Sequence, residues 1–374
     1  MKDIKTIKGK SILIGDLHFG IKRFSEKELD NQLKVFFEQI FPYMEENNID
    51  KIIQVGDLFD NRISADINFL TLIKKKFFDE IAKRGITFYS LLGNHDIYYK
   101  SSREVSLSEL FSDMYDNFIL FKDREYINLN GNNTLIVPWI LPDETLEYED
   151  IKDVINIIGH FEIQNFQLVK GHFDKTSNLT EDFFISGTKV QNVLSGHYHL
   201  RDLKNVVKYI GTPYQLSWGD YKEAKGFYIF NEDNTIDFIE NTSSKKYIKV
   251  KYNDESEKKI QISGFSEEIY LTEKELEEIL PKIKKNEIKL FVNKSKDTKY
   301  NEVIYTMKKS DINPVIVDNQ KISEIIGTDY IEDTESLRDI RKVIFSKTKE
   351  TNPGLVKILQ EVLQEVDSKY IVKE

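Results

Sequence analysis

Over its first hundred residues the chain alternates short apolar runs with longer amphipathic stretches. Residues 11–15 are apolar, and residues 25–47 then carry Leu29, Leu33, Phe36, Phe37, Ile40 and Met44. Steps of three and four place these on one face of a helix. Pro42 falls inside the stretch and predicts a kink or break, because proline lacks an N–H and its ring crowds the preceding turn. Residues 51–56 form the next strand, 66–82 the next amphipathic helix and 86–92 a third strand ending at Gly93. This alternation predicts a parallel sheet with helices on its faces. Functional groups then belong beyond the carboxyl ends of the strands.

Downstream the pattern turns strand-rich. Candidate strands are 118–121, 134–138, 154–159, 192–196, 207–211, 226–230 and 235–239, separated by turn signals such as Asn130-Gly131-Asn132-Asn133 and Asn231-Glu232-Asp233-Asn234. Residues 1–245 therefore read as an α/β, two-sheet sandwich flanked by helices. After Asn241-Thr242-Ser243-Ser244 the composition shifts toward Lys, Glu and Ile. A helix at 271–283 and strands at 287–293 and 314–318 suggest a small α+β domain over 246–330. Residues 331–374 read as a helical tail, with Leu355, Ile358, Leu359, Val362 and Val366 on one face.

The 40% hydrophobic fraction of the 374 residues is ample for a core. No apolar run approaches the roughly 18 residues of a membrane span, and Met1-Lys2-Asp3-Ile4-Lys5 does not resemble a secretory signal. Cytoplasmic residence is the expectation. Zero cysteines exclude disulfides and thiolate zinc sites. A net charge of −10 argues against nucleic-acid binding by bulk electrostatics. It does not exclude a nuclease, since bound divalent cations reverse the local potential where a phosphate approaches.

The chemistry concentrates at strand ends. Gly15-Asp16-Leu17-His18, Gly56-Asp57-Leu58-Phe59-Asp60, Gly93-Asn94-His95-Asp96, Gly159-His160 and Gly196-His197-Tyr198-His199 hold every histidine except His172. Carboxylate, amide oxygen and imidazole suit Mn²⁺, Fe²⁺ or Zn²⁺. Gathered together they would hold two divalent cations and hydrolyse a phosphate ester. Asp57 is the candidate bridge. Asp16, His18 and one histidine of the last motif would complete one metal's shell, and Asn94, His160 and the other histidine the second. His95 is left as an oriented imidazolium beside Asp96, suited to protonating a leaving oxygen. His172, in a polar stretch, reads as a surface residue. Gly9-Lys10-Ser11 precedes a strand and lacks a first glycine, so it is no phosphate-binding loop. Any ATP dependence must come from a partner.

These five motifs, in this order, resemble the calcineurin-like metallophosphoesterase superfamily. Within it they are most similar to the SbcD/Mre-eleven nucleases and their bacteriophage form, the recombination endonuclease subunits. Gly56-Asp57-Leu58-Phe59-Asp60, Phe161-Glu162 after Gly159-His160, and Tyr209-Ile210-Gly211-Thr212-Pro213 carry the likeness. The resemblance covers residues 11 to about 230. It implies that Asp16, His18, Asp57 and His199 bind one metal, and Asp57, Asn94, His160 and His197 the other. His95 would be the acid, with Asp96 as its partner. It further implies Mn²⁺, with Mg²⁺ an alternative, and DNA as substrate. The 246–330 domain would cap the DNA, and the tail would dock on an SbcC/Rad-fifty-like, SMC-type ATPase. A homodimer would form through the helices at 25–47 and 66–82. Two other readings stay open: a small-nucleotide phosphodiesterase, and a catalytically weak scaffold that holds the ATPase on DNA. Residues 281–310 carry nine lysines, which fit a DNA-contacting surface and a solvated face equally well.

Overall fold

The computed structural model describes residues 4–318, apart from Ser266, Ser295 and the side chain of Val169. The chain divides after Lys246 into two compact units. The expected end of the cap at 330 and the helical tail at 331–374 lie outside the described residues.

The first unit is the two-sheet sandwich expected from the sequence. One sheet runs in the order Ile236–Glu240, Gly226–Phe230, Ser11–Ile14, Lys51–Gln54, Thr87–Leu91 and Phe118–Phe121. Its last four strands are mutually parallel. The other runs Thr6–Ile7, Glu125–Leu129, Asn132–Val137, Asn156–His160, Asn192–Gly196, Val207–Tyr209 and Asp202–Lys204. Alternation along each strand divides the core into layers. Ile12 and Ile14 face the helices, whereas Leu13 points between the sheets. There it joins Ile53, Leu91 and Phe121 from its own sheet and Leu129, Ile136, Ile158 and Leu194 from the opposite one. Leu135, Val137, Ile157 and Val193 bury the far side of the second sheet beneath Ile151 and Phe184. The Asn130-Gly131 turn closes a two-residue hairpin, with φ of 54° and 85° at its central positions. That is the geometry for which Asn-Gly is favoured.

Pro42 does not break its helix. Glu26–Val35, Phe36–Ile40 and Phe41–Asn47 run on continuously, and the middle segment is a π-helical turn. The wider turn carries the chain past a residue that cannot donate and whose ring would strike the preceding carbonyl. A second π turn, Lys74–Phe78, interrupts the helix that runs from Ile67 to Lys83. Phe36 and Phe77, one in each turn, meet with ring centroids 4.9 Å apart.

The second unit is a five-stranded sheet in the order Ile269–Leu271, Ile260–Ser263, Tyr247–Tyr252, Glu287–Val292 and Val315–Asp318. The helices Glu273–Ile283 and Tyr300–Lys309 bury Leu276, Leu280, Val303 and Met307 against Ile248, Val250 and Leu290. Pro281 sits inside the first of these helices. Among the described residues, no helix is long and apolar enough to cross a membrane.

Phe78 anchors the helical layer of the first unit, with Phe111 at 4.4 Å and Phe118 at 5.6 Å, both stacked on it. Phe78→Ala is expected to cost about 3–5 kcal/mol in urea unfolding of the full chain. A loss smaller than about 1 kcal/mol would show that this aromatic stack contributes little.

Candidate metal centre

Parallel strands deliver their carboxyl ends to one edge of the sandwich. From one sheet, Ser11–Ile14 leads into Asp16 and His18, Lys51–Gln54 into Asp57, and Thr87–Leu91 into Asn94. From the other, Asn156–His160 ends on His160, and Asn192–Gly196 leads into His197 and His199. His18, Asp57 and His197 adopt positive φ of 45°, 54° and 89°. Such conformations cost non-glycine residues energy and persist where surrounding structure enforces them. Close packing supplies the enforcement. A Cβ on Gly56 would collide with the His160 ring, and one on Gly93 with the Asp57 carboxylate and backbone.

The side chains form two adjoining sets. In the first, His18 Nε2 and His199 Nε2 approach to 2.9 Å, each 4.0 Å from Asp16 Oδ2. Two imidazole lone pairs at that separation repel unless a proton or a cation lies between them. In the second, Asn94 Oδ1 lies 3.0 Å from both His160 Nε2 and His197 Nδ1. Asp57 Oδ2 stands between the sets, 3.8 Å from His18 Nε2 and 3.3 Å from His160 Nε2. Asp16–His18–His199 and Asp57–His160–His197 each converge closely enough to hold an ion. This donor set of nitrogen and oxygen, without sulfur, fits Mn²⁺, Fe²⁺ or Zn²⁺.

Surrounding groups fix which ring nitrogen faces inward. His160 Nδ1 donates to the Val55 carbonyl at 2.8 Å, which turns the Nε2 lone pair toward the centre. Glu162 Oε1 lies 3.2 Å from His197 Nε2, leaving Nδ1 to face Asn94. Asp16 accepts the His197 backbone N–H at 3.0 Å, and Asp57 Oδ1 accepts that of His95 at 2.8 Å. Gln32 donates to the carbonyls of Leu17 and His18, and Tyr214 donates to that of Leu17. Lys225 holds the His199 carbonyl at 2.6 Å.

The electrostatics of this buried cluster are divided. Burial pushes the Asp16 carboxyl above its usual value, and the neighbouring Asp57 charge adds to the rise. Burial presses on Asp57 too, but His160 and His18 outweigh it and hold Asp57 well below the carboxylate range. Burial likewise opposes charge on His160, yet Asp57 reverses this and pushes it up to about 9. Burial, with repulsion from His18, keeps His199 well below an ordinary histidine. Without cations, protons are thus shared unequally over the cluster. Binding a divalent ion releases them.

His95 Nδ1 donates to the Asp60 carbonyl at 2.7 Å, and its ring meets His18 edge-on with centroids 4.9 Å apart. His95 is not oriented by Asp96, contrary to the pairing expected from their adjacency. The Asp96 carboxylate instead accepts backbone N–H groups of Leu58, Phe59 and Gly93 and the Ser108 hydroxyl, at 2.9–3.3 Å. These donors lie beneath the Asp57 loop, so Asp96 ties that loop to the Gly93 turn. Burial and the Asp57 charge push Asp96 to about 6. The orienting group of His95 is a carbonyl of the second motif. Asp60, Glu162 and Tyr214 stand in or beside the motifs, yet the sequence gives them no role, and it gives no sign of Gln32, which reaches the Leu17 and His18 carbonyls from the following helix. His172 lies apart, on an exposed two-residue strand.

Gly93→Ala should displace Asp57 and weaken cation binding by more than about tenfold in calorimetric titration, with the fold retained by circular dichroism. Wild-type affinity in that variant would mean the crowding at Gly93 does not position Asp57.

Comparison with known proteins agrees with this geometry. The model of the family "Calcineurin-like phosphoesterase" matches residues 9–239, more than half of the chain. "Exonuclease subunit 1" of Enterobacteria phage T4 is 29% identical over 239 residues, covering 63% of this chain and 68% of that protein. "Putative phosphoesterase 078R" of Invertebrate iridescent virus 3 is 24% identical over 227 residues, covering 57% of this chain and 59% of its own length. The matched region contains every strand end that contributes to the two ligand sets, and this chain belongs to the calcineurin-like phosphoesterase family.

Proposed function

We propose that the protein is a two-metal DNA nuclease, acting as a double-strand exonuclease and single-strand endonuclease in recombination and break repair. The observation that carries this reading is Asp57 Oδ2 standing between two nitrogen–oxygen ligand sets. The similarity to a phage exonuclease subunit favours DNA over a small nucleotide. In this reading Asp16, His18, Asp57 and His199 hold one cation, and Asp57, Asn94, His160 and His197 the other. Mn²⁺ is the ion proposed, with Mg²⁺ a substitute. Held by these residues, two divalent cations would supply the Lewis-acid charge that activates a phosphodiester toward hydrolysis at neutral pH.

The chain's own residues supply the rest. Asp57 offsets the repulsion between the two positive charges. Glu162 and the Val55 carbonyl fix the orientation of the His197 and His160 rings, so that Nδ1 of the one and Nε2 of the other face Asn94. With Nδ1 committed to the Asp60 carbonyl, His95 presents Nε2 as its working nitrogen, placed to give a proton to the leaving oxygen. Asp96 acts indirectly, as a positioning residue that locks the Asp57 and Asn94 loops together.

The working assembly proposed is a homodimer in the cytoplasm, paired through the two long helices and joined to an SbcC/Rad-fifty-like, SMC-type ATPase. Exposed Phe37, at 40%, lies beside Leu33, Lys34 and Lys76 in the groove between those helices and suits such a contact.

Two outcomes are expected. The full chain should degrade linear DNA with Mn²⁺, lose the activity to EDTA and leave cyclic nucleotides intact; the reverse substrate preference would favour the small-nucleotide reading. His95→Gln should lower kcat by about 10²–10⁴-fold while binding the same number of cations. Unimpaired turnover would remove His95 from the reaction.

A further inference from the structure

Beside the second ligand set stands an aromatic ring that the hydrolytic chemistry leaves unused, and an exposed pair of tyrosines is tied to its segment. Trp139, partly exposed, sits with its ring centroid 5.1 Å from His197 and 6.0 Å from His160. A short hairpin, Ile97–Tyr99 paired with Ser102–Ser106, begins on the residue after Asp96. It exposes Tyr98 at 42% and Tyr99 at 52%, with Lys100 exposed at its turn. The two tyrosine rings meet edge to face, at 4.8 Å and 78°, so the edge of one covers at most one face of the other.

The hairpin and Trp139 are locked to one another. Buried Ile97 packs in one small cluster with Leu92 and Leu141, against which Trp139 also lies. The Trp139 N–H donates to the Leu92 carbonyl at 2.8 Å. Its carbonyl accepts from Nε and Nη2 of Arg103, a hairpin residue that also forms an ion pair with Glu144. A nearly buried guanidinium is costly to desolvate. Here its donors are spent on holding the Trp139 segment and the tyrosine hairpin in fixed relation.

We propose that Trp139 and the Tyr98–Tyr99 hairpin form a wall on which unpaired nucleobases stack while their phosphate occupies the metal centre, so that single-stranded or frayed DNA is the preferred substrate. This rests on the nuclease reading above. Aromatic faces accept any base, and each stacked base adds substantially to affinity. In a duplex those base faces are already covered, so the wall gains nothing from it until the end frays. With its ring 5.1 Å from His197 and 6.0 Å from His160, Trp139 would lie within a nucleoside's reach of a phosphate bound at the second ligand set. Lys100 offers the following phosphate a positive charge. A purely protein partner would use the same tyrosines without reference to strandedness, and this separates the two in a test.

The test uses full-length chain with Mn²⁺ and three substrates: a single-stranded oligonucleotide, the blunt duplex of the same sequence, and bis-p-nitrophenyl phosphate. Tyr98→Ala/Tyr99→Ala should lower kcat/KM for the single strand, relative to the small diester, by about tenfold or more. The duplex-to-diester ratio should move by less than about threefold. Tyr98→Phe/Tyr99→Phe should restore single-strand preference, because a phenyl face stacks as well. Trp139→Phe should show a milder loss in the same direction, since a smaller ring remains in place. Equal losses on both DNA forms, or none on either, would overturn the stacking wall while leaving the nuclease intact. Wild-type protein that hydrolyses the diester but neither DNA form would instead overturn the nuclease reading, and this proposal with it.

Discussion

The structure depends on the cost of packing carboxylates and imidazoles together out of water. Asp16, Asp57, His18 and His160 are all buried, and the ligand atoms lie at distances where equal protonation of all is impossible. A buried charge must be paired or neutralised. The fold answers in part by spending backbone N–H groups on the carboxylates, from His197 to Asp16 and from His95 to Asp57. What it leaves unanswered is the approach of His18 Nε2 to His199 Nε2 at 2.9 Å, which a divalent cation between them would satisfy. Left-handed backbone at His18, Asp57 and His197 is the conformational strain that accompanies this arrangement.

The site is built twice over, once by each sheet. Asp16, His18, Asp57 and Asn94 come from one sheet, and His160, His197 and His199 from the other. The interlayer core of Leu13, Ile53, Leu129, Ile158 and Leu194 therefore does more than bury surface. It sets the distance across which the donors of one sheet meet those of the other. A change in that apolar layer reaches the centre without touching a ligand.

Much of this was legible in the sequence because it is local. Strand ends followed by Gly-Asp, Gly-Asn or Gly-His are short-range patterns, and the structure gives the reason for two of the glycines in the room Asp57 and His160 require. The two helices were visible as stripes, yet their π turns were not, since widening by one residue leaves the apolar spacing almost intact. Orientation was illegible. Nothing near Glu162 in the chain says that it faces His197, and the adjacency of Asp96 to His95 suggested a pairing that the turn geometry denies. The edge strands Thr6–Ile7 and Asp202–Lys204 are too short to show a period. Tyr247–Tyr252 alternates Lys with apolar residues, a strand period present in the sequence although not among the strands expected from it.

The shared ownership of the centre by two sheets has a consequence for the whole sandwich. An ion gripped from both layers acts as a rivet, and any ligand that favours the folded chain shifts the folding equilibrium by mass action. Cation supply then governs more than turnover. In a cell short of the metal, the same scarcity that silences the enzyme loosens the seam between its halves, and loss of catalysis and loss of the protein become one event.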